Sequence, residues 1–199
     1  FRRQIVQEPA RAKDYAARAE RDFHEAIDRY TDLARAYGGG SYLGIASSAS
    51  GGLLEVEVEL GRRSADDAMA LISQRLDEVV DVTTVPSGDL LESFGWHCVF
   101  GCNIALRHLE GETMHRHMAV LTNKGYEIAD ALDNWAMRER IFTLEHAQHE
   151  RMHQVSGHDV AWTIDTDEAR VIIGTMGRFP RFRATGWQIL NTATVIPSN

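Results

Sequence analysis

The hydrophobic positions change period along the chain, and each period predicts an element. From Pro9 to Tyr37 the residues Ala16, Ala19, Phe23, Ile27, Tyr30, Leu33 and Ala34 recur in steps of three and four, the spacing that lines one face of a helix. Pro9 suits a first helical turn, and Gly38-Gly39-Gly40 supplies the stop. Residues 38–52 hold mostly Gly, Ser and Ala, which predicts a linker or an edge hairpin. In Leu54-Glu55-Val56-Glu57-Val58-Glu59-Leu60 the alternation is strict. It predicts a half-buried strand, aliphatic side chains inward and three glutamates in water.

Ser64 is placed to cap a helix with Asp66 and Asp67 in its first turn, where the helix dipole favours anions. Ala68, Leu71, Ile72, Arg75 and Leu76 would form its buried side. The β-branched run Val79 to Val85, closed by Pro86-Ser87-Gly88, predicts a second strand. Residues 53–86 therefore read as a β-α-β unit. Trp96 to Thr122 reads as a hairpin turning at Glu110-Gly111, with a helix through Ile104 to His108 as the alternative. Asn123-Lys124-Gly125 is expected to turn the chain into a long helix over 127–155, and His158 to Ile164, Ala169 to Gly174 and Thr185 to Ile196 read as strands. The expected class is α+β: a mixed or antiparallel sheet with ferredoxin-like β-α-β units and one long central helix. Residues 1–40 form an N-terminal docking helix ahead of a domain over 41–199.

Composition narrows the class of partner. Apolar residues at 44% and charged residues at 25% of 199 suit a folded protein. A net charge of −8 disfavours nucleic acid and anionic membrane surfaces. No run of 18 apolar residues occurs, so no membrane span is expected. On a strand Cys98 and Cys102 would stand about 13 Å apart, too far to be bridged. Two such cysteines predict a reducing, cytoplasmic compartment or a place inside a larger assembly. The chain begins Phe-Arg-Arg without an initiator Met, which predicts trimming or processing.

The densest chemistry lies in Ile141 to Asp159, which holds four of the nine histidines. On a helix at about 100° per residue, Ile128, Leu132, Trp135 and Phe142 share one side, and His146, His149 and His153 continue it with Glu139 and Glu150. Met137, Ile141, Leu144, Met152 and Val155 lie opposite. His149 and His153, one turn apart, can reach a single zinc ion at roughly 2.0–2.1 Å each. Glu150 beside them can take a proton from metal-bound water.

His149-Glu150-Arg151-Met152-His153 resembles the H-E-x-x-H zinc metallopeptidases. In their metzincin branch a third ligand follows six residues on, and Asp159 stands there. Ser156 replaces the family's Gly, Arg151 puts a cation between the ligands, and Met176 is the candidate for the Met-turn. The resemblance implies a zinc-dependent hydrolase, with His149 and His153 as ligands, Asp159 or a distant residue as the third ligand and Glu150 as base; His146, on the same side of the helix, is a further candidate ligand.

His97, Cys98, Cys102, His108, His115 and His117 form a second group, but C-x₃-C is not zinc-knuckle spacing and the cysteines read as small buried hydrophobes. On a strand His115 and His117 would point the same way. Arg178, Phe179, Arg181, Phe182 and Arg183 form the one basic, aromatic patch of an acidic chain, and it suits an acidic protein partner better than nucleic acid. With no complete catalytic set, the favoured reading is a non-enzymatic subunit without a cofactor, working by assembly, self-association or partner binding. The zinc hydrolase is the alternative.

Overall fold

The computed structural model describes residues 8–78, 82, 88–156, 163–178, 186–187, 190–191 and 193–197. Among them helices dominate, beginning after a 3₁₀ turn at Pro9–Arg11. The helices are α1 (Ala12–Tyr37), α2 (Gly40–Glu59), α3 (Ala65–Asp77), α4 (Gly88–His108), α5 (Gly111–Ala131), α6 (Trp135–Ser156) and α7 (Thr166–Arg178). Two three-residue strands, β1 (Thr163–Asp165) and β2 (Thr194–Ile196), pair in parallel with Thr163 opposite Thr194. The expected α+β sheet and its ferredoxin-like β-α-β units are therefore overturned. A ladder of this length cannot serve as a layer.

The chain forms two compact units, Phe1–Asn134 and Trp135–Asn199. In the first, α1 packs on α2, α2 on α4 and α4 on α5, while α3 lies mainly against α4. The spatial order is thus α1-α2-α4-α5, with α2 and α4 covered on both sides. Gly38 (φ 63°) and Gly39 (φ 155°) link the first helical hairpin, and Gly111 (φ 51°) opens α5 after Leu109-Glu110. The turn predicted at Glu110-Gly111 is present, but helices flank it.

The strand predicted at 54–60 is the last two turns of α2. Its glutamates do not face water: Glu55 is buried. Arg63 Nε donates to Glu57 at 2.6 Å, and Arg107 pairs with Glu59 at 2.8 Å. An alternating run cannot reveal its period when neighbours cover both of its sides, because both sets of residues are then buried.

The Gly-Ser-Ala stretch predicted as linker is the first half of the same helix. Gly is a poor helix former, by about 1 kcal/mol relative to Ala, but here close packing requires it. A Cβ on Gly44 would lie 2.6 Å from the Asp89 carbonyl oxygen. One on Gly51 would lie 2.8 Å from Phe100 and 3.2 Å from His97. These missing side chains let α4 approach the α2 backbone.

Helix α3 forms where predicted, with its cap, but Leu71 and Arg75 of its expected buried side are exposed. Ser64 Oγ accepts from the Asp67 amide at 3.0 Å, and Ala68, Ile72 and Leu76 are buried. The helix predicted over 127–155 is divided. Asn123-Lys124-Gly125 lies inside α5, which ends where Asp133 enters the left-handed region (φ 48°) and the Asn134 amide bonds back to Ala129 O at 2.8 Å. Wholly buried Met69, Ile72, Ile104, Met118 and Ile128 make the core of this unit.

In the second unit Met137, Ile141 and Leu144 are buried along α6, as predicted for that side. Ile164, Ile172 and Met176 form a small cluster with Phe142, Ala169, Leu190 and Ala193. Residues predicted as the strand 169–174 belong to α7, and Met176 is a core residue of that helix, not a turn. Of the predicted strand 185–196, only residues 194–196 are strand among those described. No helix among the described residues is long and apolar enough to cross a membrane.

Candidate functional site

The predicted zinc residues meet the structure unevenly. His146 is buried on α6 at 5% exposure. His149, Glu150 and His153 belong to the same helix, but their side chains lie outside the described residues, as does Asp159 altogether. Arg178 ends α7 with its side chain likewise outside the description, and Phe179, Arg181, Phe182 and Arg183 lie beyond it. Among the described residues no three His, Cys, Asp or Glu side chains converge as a metal site.

The second His/Cys group is distributed over two helices. Cys98 and Cys102 are both fully buried on α4 and not joined in a disulfide, and burial pushes the Cys98 thiol up to about 12. His108 lies 3.5 Å from Glu59, with burial lowering its pKa. His115 and His117 are on α5, where two residues turn the side chain by about 200°, so they do not share a side as they would on a strand.

Two concavities in the first unit bring functional groups together. The first is a groove of about 390 Å³. Along α4, Asp89, Glu92, Trp96 and Phe100 follow helical spacing and form one wall; Phe23 of α1 and Ile45 of α2 face them. The small residues Gly44, Ser48 and Ala49 keep its floor open. Ser41 Oγ donates to Asp89, and Trp96 Nε1 and Asn134 Nδ2 each donate to Glu92 at 3.2 Å. A hydroxyl, an indole and an amide carry no charge, so these bonds orient the two carboxylates without neutralising them.

The second concavity, about 340 Å³, lies between α2, α3 and α4, with Glu57, Arg63, Arg75, Glu78 and His97 among its lining. His97 is 1% exposed, and its Nδ1 lies 2.8 Å from the Ser93 carbonyl oxygen. A carbonyl only accepts, so Nδ1 carries the proton. Burial, opposed by the Ser93 bond, holds the ring pKa below the ordinary histidine value. The imidazole is therefore neutral near pH 7, and Nε2 keeps its lone pair.

The hairpin expected over Trp96 to Thr122 hides the α4 wall, because it assigns Trp96 and Phe100 a strand period. The spacing of Asp89, Glu92, Trp96 and Phe100 was the signal that could have revealed it. These features define a first unit that is helical among its described residues, with two lined concavities, and a smaller second unit. No family model matches the chain, and no curated protein or solved structure shows significant similarity to it.

Proposed function

We propose that this chain is a non-enzymatic binding subunit whose groove between α1, α2 and α4 takes a basic amphipathic segment of a partner protein. The observation that carries this reading is the pairing of an aromatic wall, Trp96 and Phe100, with carboxylates whose hydrogen-bond donors among the described residues are uncharged. Aromatic anchors in a concave surface supply most of the energy of such contacts, and rim charges set the choice of partner. Ile45, 42% exposed, continues the apolar surface. The charge of the unit favours the same partner: residues 1–134 hold 22 acidic against 14 basic residues, whereas residues 135–199 hold seven of each.

The test is binding of a labelled helical peptide bearing Leu on one face and Lys on the other, followed by anisotropy and by Trp fluorescence. Saturable binding that Asp89→Lys with Glu92→Lys abolishes supports the reading, provided the variant keeps its helical circular dichroism. Equal binding of an acidic peptide overturns it. If sedimentation shows a dimer that the same double variant dissociates, the occupant is a second copy, not a partner. Stoichiometric zinc in protein purified without a metal column, lost in His149→Ala, would replace this reading with the zinc hydrolase.

A further inference from the structure

We infer that the cavity between α2, α3 and α4 is a binding site for a small zwitterion with an aliphatic body, of the class of free branched-chain α-amino acids. The site is separate from the groove. Its inner wall is His97, almost wholly buried, with Nδ1 committed to the Ser93 carbonyl and Nε2 left as an acceptor. Gly51 lets the ring sit close against α2: a Cβ there would stand 3.2 Å from Nε2 and from Cδ2. A bare imidazole nitrogen at the wall of a cavity calls for a ligand that donates a hydrogen bond.

The charged lining fixes the rest of the ligand. Arg63 pairs with Glu57 at 2.6 Å, and Arg75 with Glu78 at 3.2 Å. Among the described residues the cavity thus presents two cations and two anions with no net excess, so a ligand of single charge would answer only one sign. A zwitterion answers both. Its ammonium donates to His97 Nε2 and faces a glutamate, while its carboxylate takes the terminal nitrogens of Arg63, whose bond to Glu57 uses Nε. Leu53, Leu54 and Leu71 supply an apolar wall, and Leu71 is 38% exposed at this surface. The volume of about 340 Å³ falls at the small end of ligand pockets, which run from about 300 to 1,000 Å³.

The experiment is calorimetric titration of the full chain with L-leucine, L-isoleucine and L-valine, and with two truncated relatives of leucine, 4-methylpentanoate and 3-methylbutylamine. At least one amino acid is expected to bind saturably, and at least tenfold more tightly than either truncated compound. His97→Phe removes the acceptor and is expected to weaken that binding at least tenfold. Arg63→Met, at a side chain 32% exposed, tests the carboxylate contact even if the buried substitution unfolds the protein. Absence of saturable binding by all three amino acids overturns the proposal. So does binding of the acid or the amine within tenfold, or an Arg63→Met variant that binds as the parent does.

Discussion

Helices α1 and α2 are joined by two glycines and pack along each other, yet they follow different rules. The first is an outer helix covered on one side, and only Tyr15, Ala16 and Glu20 are buried along it. The second lies between α1 and α4, and nine of its 20 residues are buried, four of them Gly or Ser besides Glu55. An outer helix writes its packing into the period of its hydrophobic residues, whereas an inner one writes it into residue size. The same contrast sets where the molecule is sensitive. Inner positions are restricted by volume and by the need to pair buried charge, and outer positions are restricted hardly at all.

The largest effect is expected at the inner pair. Ile104→Ala, at a fully buried position of α4, removes apolar contacts and leaves a cavity, a loss of about 2–5 kcal/mol; urea unfolding followed by circular dichroism measures it. Gly44→Ala adds only a methyl group, but against the rigid Asp89 carbonyl at 2.6 Å it is expected to cost about 1–3 kcal/mol. A wild-type midpoint for Gly44→Ala would break the contrast, because it would show that α2 and α4 can separate freely. Ser64→Ala, which removes the cap of α3, is expected to cost about 1 kcal/mol in the same assay.

A pH series sharpens the contrast further. His97 is held neutral in the folded chain, whereas in the unfolded chain it titrates near its ordinary value of about 6.5. Below that value the unfolded chain binds the extra proton, so stability present at pH 7 is lost as pH falls through the lowered folded pKa. His108 and His117, also shifted down by burial, act in the same direction. His97→Gln is expected to flatten the dependence between pH 7 and 5 by at most one proton, read from unfolding midpoints. The smallest effect belongs to the outer helix. Arg29 and Glu25 of α1, paired at 3.9 Å with both side chains about three-quarters exposed, are expected to give unchanged midpoints when replaced by Ala.

The same difference explains what was legible in the sequence. Helix α1 was readable from Ala16 to Ala34 because solvent on one side leaves the helical period visible. Helix α3 was readable because Ser64 caps it through a local bond. Leu54 to Leu60 misled, since Glu57 is answered by Arg63 just past the helix end and Glu59 by Arg107, a partner that only tertiary structure supplies. Helix α4 was hidden by its β-branched and aromatic residues and by burial on several sides, and the Asp89-to-Phe100 wall was hidden with it. The H-E-x-x-H residues were legible as a motif. Of the predicted zinc ligands only His146 has a described side chain, buried on α6.

The two cysteines of α4 have a practical consequence. Their sulfurs are shut away from solvent, and with Cys98 pushed up to about 12 it holds almost no thiolate at neutral pH. A thiol reagent in excess can therefore reach them only during the moments when the inner helices come apart. The rate at which the native chain consumes such a reagent, set against a free thiol under the same conditions, is a clock for that opening. It is built into the chain at its most enclosed helix and needs no added label.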